Sequence, residues 1–142
     1  MRILGIDYGD VRVGIALTDP LGITAQGVET IHYNGKDKEL LKRIDEIIQQ
    51  YGVSKIVLGM PINLKGEETV RAQKTKMFLH KLKCKYPKIE IIAVDERLTT
   101  VQAHKTMNEL EIKNGKKKDI VDTLSAVYIL ETYINKKIDS NY

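Results

Sequence analysis

The feature that most constrains this chain is a change of hydrophobic period near residue 36. Before it the period is two. "RILGID" reads as a mostly buried strand. "VRVGIALT" alternates, with Val11, Val13, Ile15 and Leu17 on one face and Arg12, Gly14, Ala16 and Thr18 on the other. "DPLG" at 19–22 has turn composition, and a third strand is expected over Ala25–His32. Short loops between the three imply an antiparallel meander. After residue 36 the spacing is helical: Leu40, Leu41, Ile44, Ile47, Ile48 and Tyr51 recur between charged residues. "KIVLGMP" is a short buried strand, and a helix from about Glu67 to Lys85 turns Phe78, Leu79 and Leu82 inward. "IEIIAV" (89–94) makes a fifth strand. Thr99-x-x-Gln102 resembles a capping box opening a third helix. Asp119 is placed to cap a fourth, which carries Leu124, Tyr128 and Ile134 inward. The order βββαβαβαα implies an α/β fold, a mixed five-stranded sheet with helices on both faces. No repeat or linker divides it, so residues 1–138 are expected to form one domain, with 139–142 a short tail.

A chain of 142 residues is long enough for a real core, and 42% hydrophobic with 30% charged residues is ordinary for a globular protein. No apolar run approaches the ~20 residues of a membrane helix. The N-terminus lacks the apolar stretch of a secretion signal, and the single Cys84 excludes an internal disulfide; both favour a reducing cytoplasm. The net charge of +4 is mild, but it is unevenly spread. The first 35 residues hold two arginines and no lysine, whereas "KNGKKKD" at 113–119 is a basic cluster. Taken alone, such a run reads as a solvated loop.

Most acids fall on helix exteriors or loops. Three positions differ. Asp7 ends the first strand, Asp95 and Glu96 follow the fifth, and Asp122 falls in the first turn of the last helix. If the first and fifth strands run parallel, Asp7 and the Asp95-Glu96 pair share one edge of the sheet, and the last helix need only start there for Asp122 to join them. Converging carboxylates repel unless a cation lies between them. An oxygen-only donor set suits Mg²⁺ or Mn²⁺, while scattered His32, His80 and His104 offer zinc nothing. Two such ions about 3.5–4 Å apart activate a water and stabilise a leaving oxygen in phosphodiester cleavage. Each acid also has a bland reading: a turn aspartate at 7, a surface ion-pair cluster at 95–97, a helix-dipole aspartate at 122. Gly14 and Ala16 leave room for a close neighbour, a packed helix more readily than a substrate backbone.

Four blocks, "GIDYGDVRVGIA", "GMPINLKG", "VDERLTT" and "VDTLSAVYILE", resemble the YqgF (RuvX) family over essentially the whole chain. These are bacterial proteins of ribonuclease H-like fold, described as Holliday junction resolvases and as nucleases that mature the 5′ end of pre-16S rRNA. The resemblance implies that Asp7, Glu96 and Asp122 are the catalytic, metal-binding acids, with Arg97 and the loop Gly59–Gly66 beside them. Asp119 departs from many relatives, and "DIVD" is similar to the paired aspartates of RuvC resolvases; a helix cap is the favoured role. The fourth strand ends in Gly59-Met60-Pro61, where ribonucleases of this type often carry an acid, so Glu96 must reach the centre from one strand further on.

The expected activity is metal-dependent hydrolysis of structured nucleic acid, with precursor rRNA favoured over branched DNA. Lys116, Lys117 and Lys118 are expected just ahead of the helix carrying Asp122, to hold a phosphate backbone, with Arg12 and Arg97 assisting. A monomer or weak homodimer without membrane attachment is expected. Two rivals remain open. One is an RNA- or ribosome-precursor-binding module that does not cut. The other is a nucleotide-binding protein of the actin and sugar-kinase type, whose Asp-x-Gly turn Asp7-Tyr8-Gly9 fits but whose second lobe 142 residues cannot supply.

Overall fold

The computed structural model describes residues 1–61, 69–95 and 114–139, the side chains of 114–119 and 137–139 excepted. Five strands form one sheet: β1 (Arg2–Tyr8), β2 (Arg12–Thr18), β3 (Ala25–His32), β4 (Val53–Met60) and β5 (Glu90–Asp95). The spatial order is β3-β2-β1-β4-β5. β1, β2 and β3 pair antiparallel as the meander, while β4 pairs parallel with both β1 and β5. Helices α1 (Asp37–Tyr51) and α2 (Val70–Lys85) make the crossovers, and α3 (Asn114–Asp139) closes the described chain. The mixed sheet and the strand bounds agree with the sequence reading to within two residues. The helix expected from Thr99 lies outside the described residues.

The pleat sorts the core into two layers. Leu4, Ile6, Val13, Ile15, Leu17, Ile56 and Leu58 project from one face onto the α1 stripe Leu40, Ile44, Ile47 and Ile48 and onto Phe78 and Leu82 of α2. Burying each of these side chains contributes about 1.5–3 kcal/mol. Gly52, in the left-handed region at φ 65°, ends α1 by donating its N–H to the Ile48 carbonyl. Thr69 opens α2, its hydroxyl accepting from the Ala72 N–H at 3.1 Å.

The opposite face is shallower: Ile3, Ala16, Val57 and Val94 meet Ala126, Val127, Ile129 and Leu130 of α3. Here glycines set the spacing. A Cβ at Gly5 would lie 2.5 Å from Leu130 Cγ, and one at Gly27 would lie 3.0 Å from Thr123 Cβ. The bare side of β2 is therefore the bed of a helix, as the favoured reading of Gly14 and Ala16 expected.

The start of α3 corrects the sequence reading. Asn114 begins the helix, so Lys116, Lys117 and Lys118 lie within its opening turns rather than ahead of it. Asp119 is not its cap, and Asp122 sits in its third turn rather than its first. Lysine is a good helix former, and a single Gly115 near the first turn does not stop a helix whose later turns are anchored on the sheet. Among the described residues no helix is long and apolar enough to cross a membrane.

Candidate active site

Both β1 and β5 run parallel to β4, so their C-terminal ends share one rim of the sheet, as expected. Asp7 stands at that rim, next to last in β1 and only 8% exposed. Its pleat neighbours Ile3 and Gly5 face α3, which puts Asp7 on the α3 side. Across the β1–β2 ladder its partner is Gly14. A Cβ at Gly14 would lie 2.0 Å from the Asp122 carbonyl oxygen and 3.0 Å from Asp122 Cβ. Side-chain positions directly opposite in such a ladder are about 4.5–5.5 Å apart, so Cβ of Asp122 lies at most about 8.5 Å from that of Asp7. Asp122, Ala126 and Leu130 form one i, i+4, i+8 stripe that rests on Gly14 and Gly5. The glycines of two strands thus determine how near the last helix brings its carboxylate.

Two such carboxylates need positive charge between or beside them. Arg12, on the same face of β2, donates from Nε to Asp122 Oδ2 at 2.8 Å. Arg71, in the first turn of α2, places Nη2 3.7 Å from Asp7 Oδ1 and donates to the Tyr8 carbonyl at 3.3 Å. The sequence reading missed Arg71. Its position two residues after the Thr69 cap, on a helix starting at the same rim, was the available signal.

The backbone that holds Asp7 is braced from behind. Tyr8 stacks on Phe78 with ring centroids 4.3 Å apart, and the Tyr33 hydroxyl donates to the Gly9 carbonyl at 2.6 Å. Burial pushes both phenols, Tyr8 and Tyr33, above the usual tyrosine range. They remain neutral hydrogen-bonding groups near neutral pH.

Pleat parity separates Asp95 from the site. Ile92 and Val94 pack in the α3 layer, whereas Ile91 packs in the α1–α2 layer, so Asp95 falls on the side away from Asp7. Glu96, Arg97 and residues 62–66 of the loop lie outside the described residues. Lys116, Lys117 and Lys118 are placed only by their backbone in α3. Among the described residues no three His, Cys, Asp or Glu side chains gather into a metal-binding group. What is present fits a hard cation in kind: two carboxylates on one rim, in a field strong enough to draw an arginine to each.

The model of the RuvX family, described as Holliday junction resolvase, matches residues 1–136. This chain belongs to that family. A RuvX relative from Ruminiclostridium cellulolyticum, named "Putative pre-16S rRNA nuclease", is 52% identical over 136 residues, 96% of this chain and 95% of its own length. One of the same name from Acetivibrio thermocellus is 50% identical over 137 residues, 96% of this chain and 97% of that protein. Among solved structures, T. thermophilus RuvC in complex with Holliday junction substrate superposes with a TM-score of 0.58 at 12% identity, over 96% of both chains. That likeness establishes the fold, a ribonuclease H-like architecture shared by RuvX and RuvC, and it agrees with the expected α/β class.

Proposed function

We propose that this RuvX member is a divalent-cation-dependent nuclease whose task is maturation of the 5′ end of pre-16S rRNA in the cytoplasm. One observation carries the reading: α3 is seated so closely on Gly14 that Asp122 is held beside Asp7 at the rim where β1 and β5 end. Glu96 would complete the donor set. Its place in the set is what the resemblance of the block "VDERLTT" to the family implies. Divalent-cation use is general to nucleases of the RuvC-like fold. Mg²⁺ or Mn²⁺, held by Asp7, Glu96 and Asp122, would supply Lewis acidity for the attacking water and the departing 3′ oxygen.

The chain's own residues do the rest. Asp7, buried at the rim, presents a fixed carboxylate, and the Tyr8–Phe78 and Tyr33–Gly9 contacts keep its backbone from shifting. Arg12 orients the Asp122 carboxylate. Arg12, Arg97 and the lysines Lys116, Lys117 and Lys118 contribute positive charge for the phosphate backbone. Cleavage of branched DNA is the second reading, favoured by the family's description as Holliday junction resolvase.

The deciding experiment incubates the purified chain with Mn²⁺ or Mg²⁺ and two substrates, a precursor rRNA fragment and a four-way DNA junction. Cleavage of the RNA is expected. Asp7→Asn is expected to lower its rate at least about 100-fold, the scale of losing one preorganised electrostatic group, while binding persists. Cutting of the junction alone selects the second reading. Binding without cutting under either metal makes the chain a docking module and ends the nuclease assignment.

A further inference from the structure

Among the described elements, helix α2 is the most one-sidedly charged. Its 16 residues include Arg71, Lys74, Lys76, Lys81, Lys83 and Lys85 and no acid. The contrast is with α1, where Asp37, Glu39, Asp45 and Glu46 offset Lys38, Lys42 and Arg43. A helix in a chain of +4 has no structural need of six cations with no acid on the same helix, and self-repulsion along it opposes the fold. Their arrangement is also not uniform. At 100° per residue, Arg71, Lys74, Lys81 and Lys85 lie along one flank of α2, while Lys76 and Lys83 lie along the other. The first flank starts at the site, since Arg71 Nη2 is 3.7 Å from Asp7 Oδ1. From there it borders an open notch of about 250 Å³ lined by Asp10, Gly35, Asp37, Lys74, Met77 and Lys81.

Lys74 Nζ is 3.5 Å from Asp10 Oδ1, and Lys81 Nζ is 2.5 Å from Asp37 Oδ2. The first pair is exposed and the second partly so, and exposed pairs are worth about 0–1 kcal/mol. They are enough to hold the two ammonium groups over the notch and too weak to withhold them from a phosphate. At 1.5 Å rise per residue the flank from Arg71 to Lys81 spans about 15 Å, roughly four steps of one strand of a duplex.

We infer that the Arg71–Lys74–Lys81 flank of α2 is a phosphate-binding track that carries the nucleic-acid strand away from the Asp7 rim across the notch. The inference rests on the nuclease reading for its direction, and it assigns the substrate a wall opposite the one formed by α3. The partner is the sugar–phosphate backbone, so the track is indifferent to base sequence.

The test uses the full chain carrying Asp7→Asn, so that substrate stays intact, and a fluorescently labelled precursor rRNA fragment read by anisotropy. Lys74→Gln/Lys81→Gln is compared with Lys76→Gln/Lys83→Gln, which removes the same charge from the opposite flank. Thermal melts confirm that both variants fold. The track predicts at least tenfold weaker binding and a salt slope shallower by about two phosphate contacts for the first pair, with the second pair within threefold of the parent. Equal weakening by both pairs, no weakening by the first, or a parent that binds no RNA overturns it. The nuclease reading stands or falls separately, on cleavage by the chain with Asp7 intact: it survives if the Lys74/Lys81 pair proves neutral, and the track survives if the chain binds along α2 but cuts nothing.

Discussion

The two faces of the sheet solve different problems with the same strands. The face under α1 and α2 is built of large side chains, Leu4, Ile6, Ile15, Leu58 and Phe78 among them, all essentially inaccessible to solvent. The face under α3 is built of absences. Gly5, Gly14 and Gly27 let the helix backbone descend until a single methyl group would collide with it. The first face yields apolar burial, which tolerates some repacking. The second yields position, which does not, because the distance from Asp122 to Asp7 depends on how deep the helix sits. Stability and geometry are thereby separated across one sheet.

Gly14→Ala tests this separation most severely. The added Cβ would lie 2.0 Å from a backbone oxygen of Asp122, which cannot rotate away as a side-chain tip would. The helix must lift by an ångström or more. Overpacking of this kind costs about 1–3 kcal/mol, and a 1 Å misplacement of a catalytic group can cost about 100-fold in rate. Chemical denaturation together with cleavage kinetics is expected to show both losses. A variant that folds well and cuts at the parental rate would refute the positional role of the glycine.

Ile44→Ala probes the other face. Ile44 is fully buried in the α1 layer, and its truncation is expected to cost about 2–5 kcal/mol in urea denaturation. Below the unfolding transition, the cleavage rate is expected to stay within twofold of the parent. A rate loss as large as that of Gly14→Ala would mean that the faces are coupled and not divided by role.

A smaller effect is expected at the rim. Arg12 and a divalent cation compete for Asp122 across a partly buried pair, and a competition of about 1 kcal/mol is roughly fivefold in affinity. Titration calorimetry with Mn²⁺ is therefore expected to show up to fivefold tighter binding to Arg12→Gln, while substrate KM rises. Unchanged Mn²⁺ affinity would show that Arg12 does not compete at this carboxylate.

Much of this was legible in the residues, for reasons that differ from element to element. The period-two run over β1–β3 gave bounds close to those observed because each strand is flanked by turn residues and its register leaves no alternative face. Asp7 was legible as a rim residue for the same reason, and the side chain of Asp95 was separable from Asp7 only once the layers of Ile91, Ile92 and Val94 were known. The start of α3 was misread because three consecutive lysines and a glycine carry local signals of a loop, whereas the helix is anchored by contacts of Ala126 and Leu130 with strands more than a hundred residues away. Arg71 escaped because nothing adjacent to it in sequence belongs to the site. Only the parallel pairing of β1 with β4 brings the start of α2 to the rim occupied by Asp7.

The smallest expected effect belongs to the opposite rim, where the β2–β3 turn lies far from Asp7. Asp19 Oδ1 accepts from the Ile23 N–H at 2.7 Å and from the Thr24 N–H at 3.3 Å. The Ile23 N–H above all holds its carboxyl below the usual aspartate range. The folded turn thus binds the proton more weakly than the unfolded chain does. Its contribution is fully present above the unfolded value of about 3.9 and drains away as pH falls toward the lower folded value. Asp19→Asn removes that charge but keeps an acceptor. Melting profiles of parent and variant are expected to converge as pH drops from about 5 to about 3, with the parent the more stable at the upper end and the cleavage rates equal throughout. Superimposable profiles would assign the turn's order to its backbone alone. A change in rate would mean that the far rim reaches the site and that the division of labour across the sheet is incomplete.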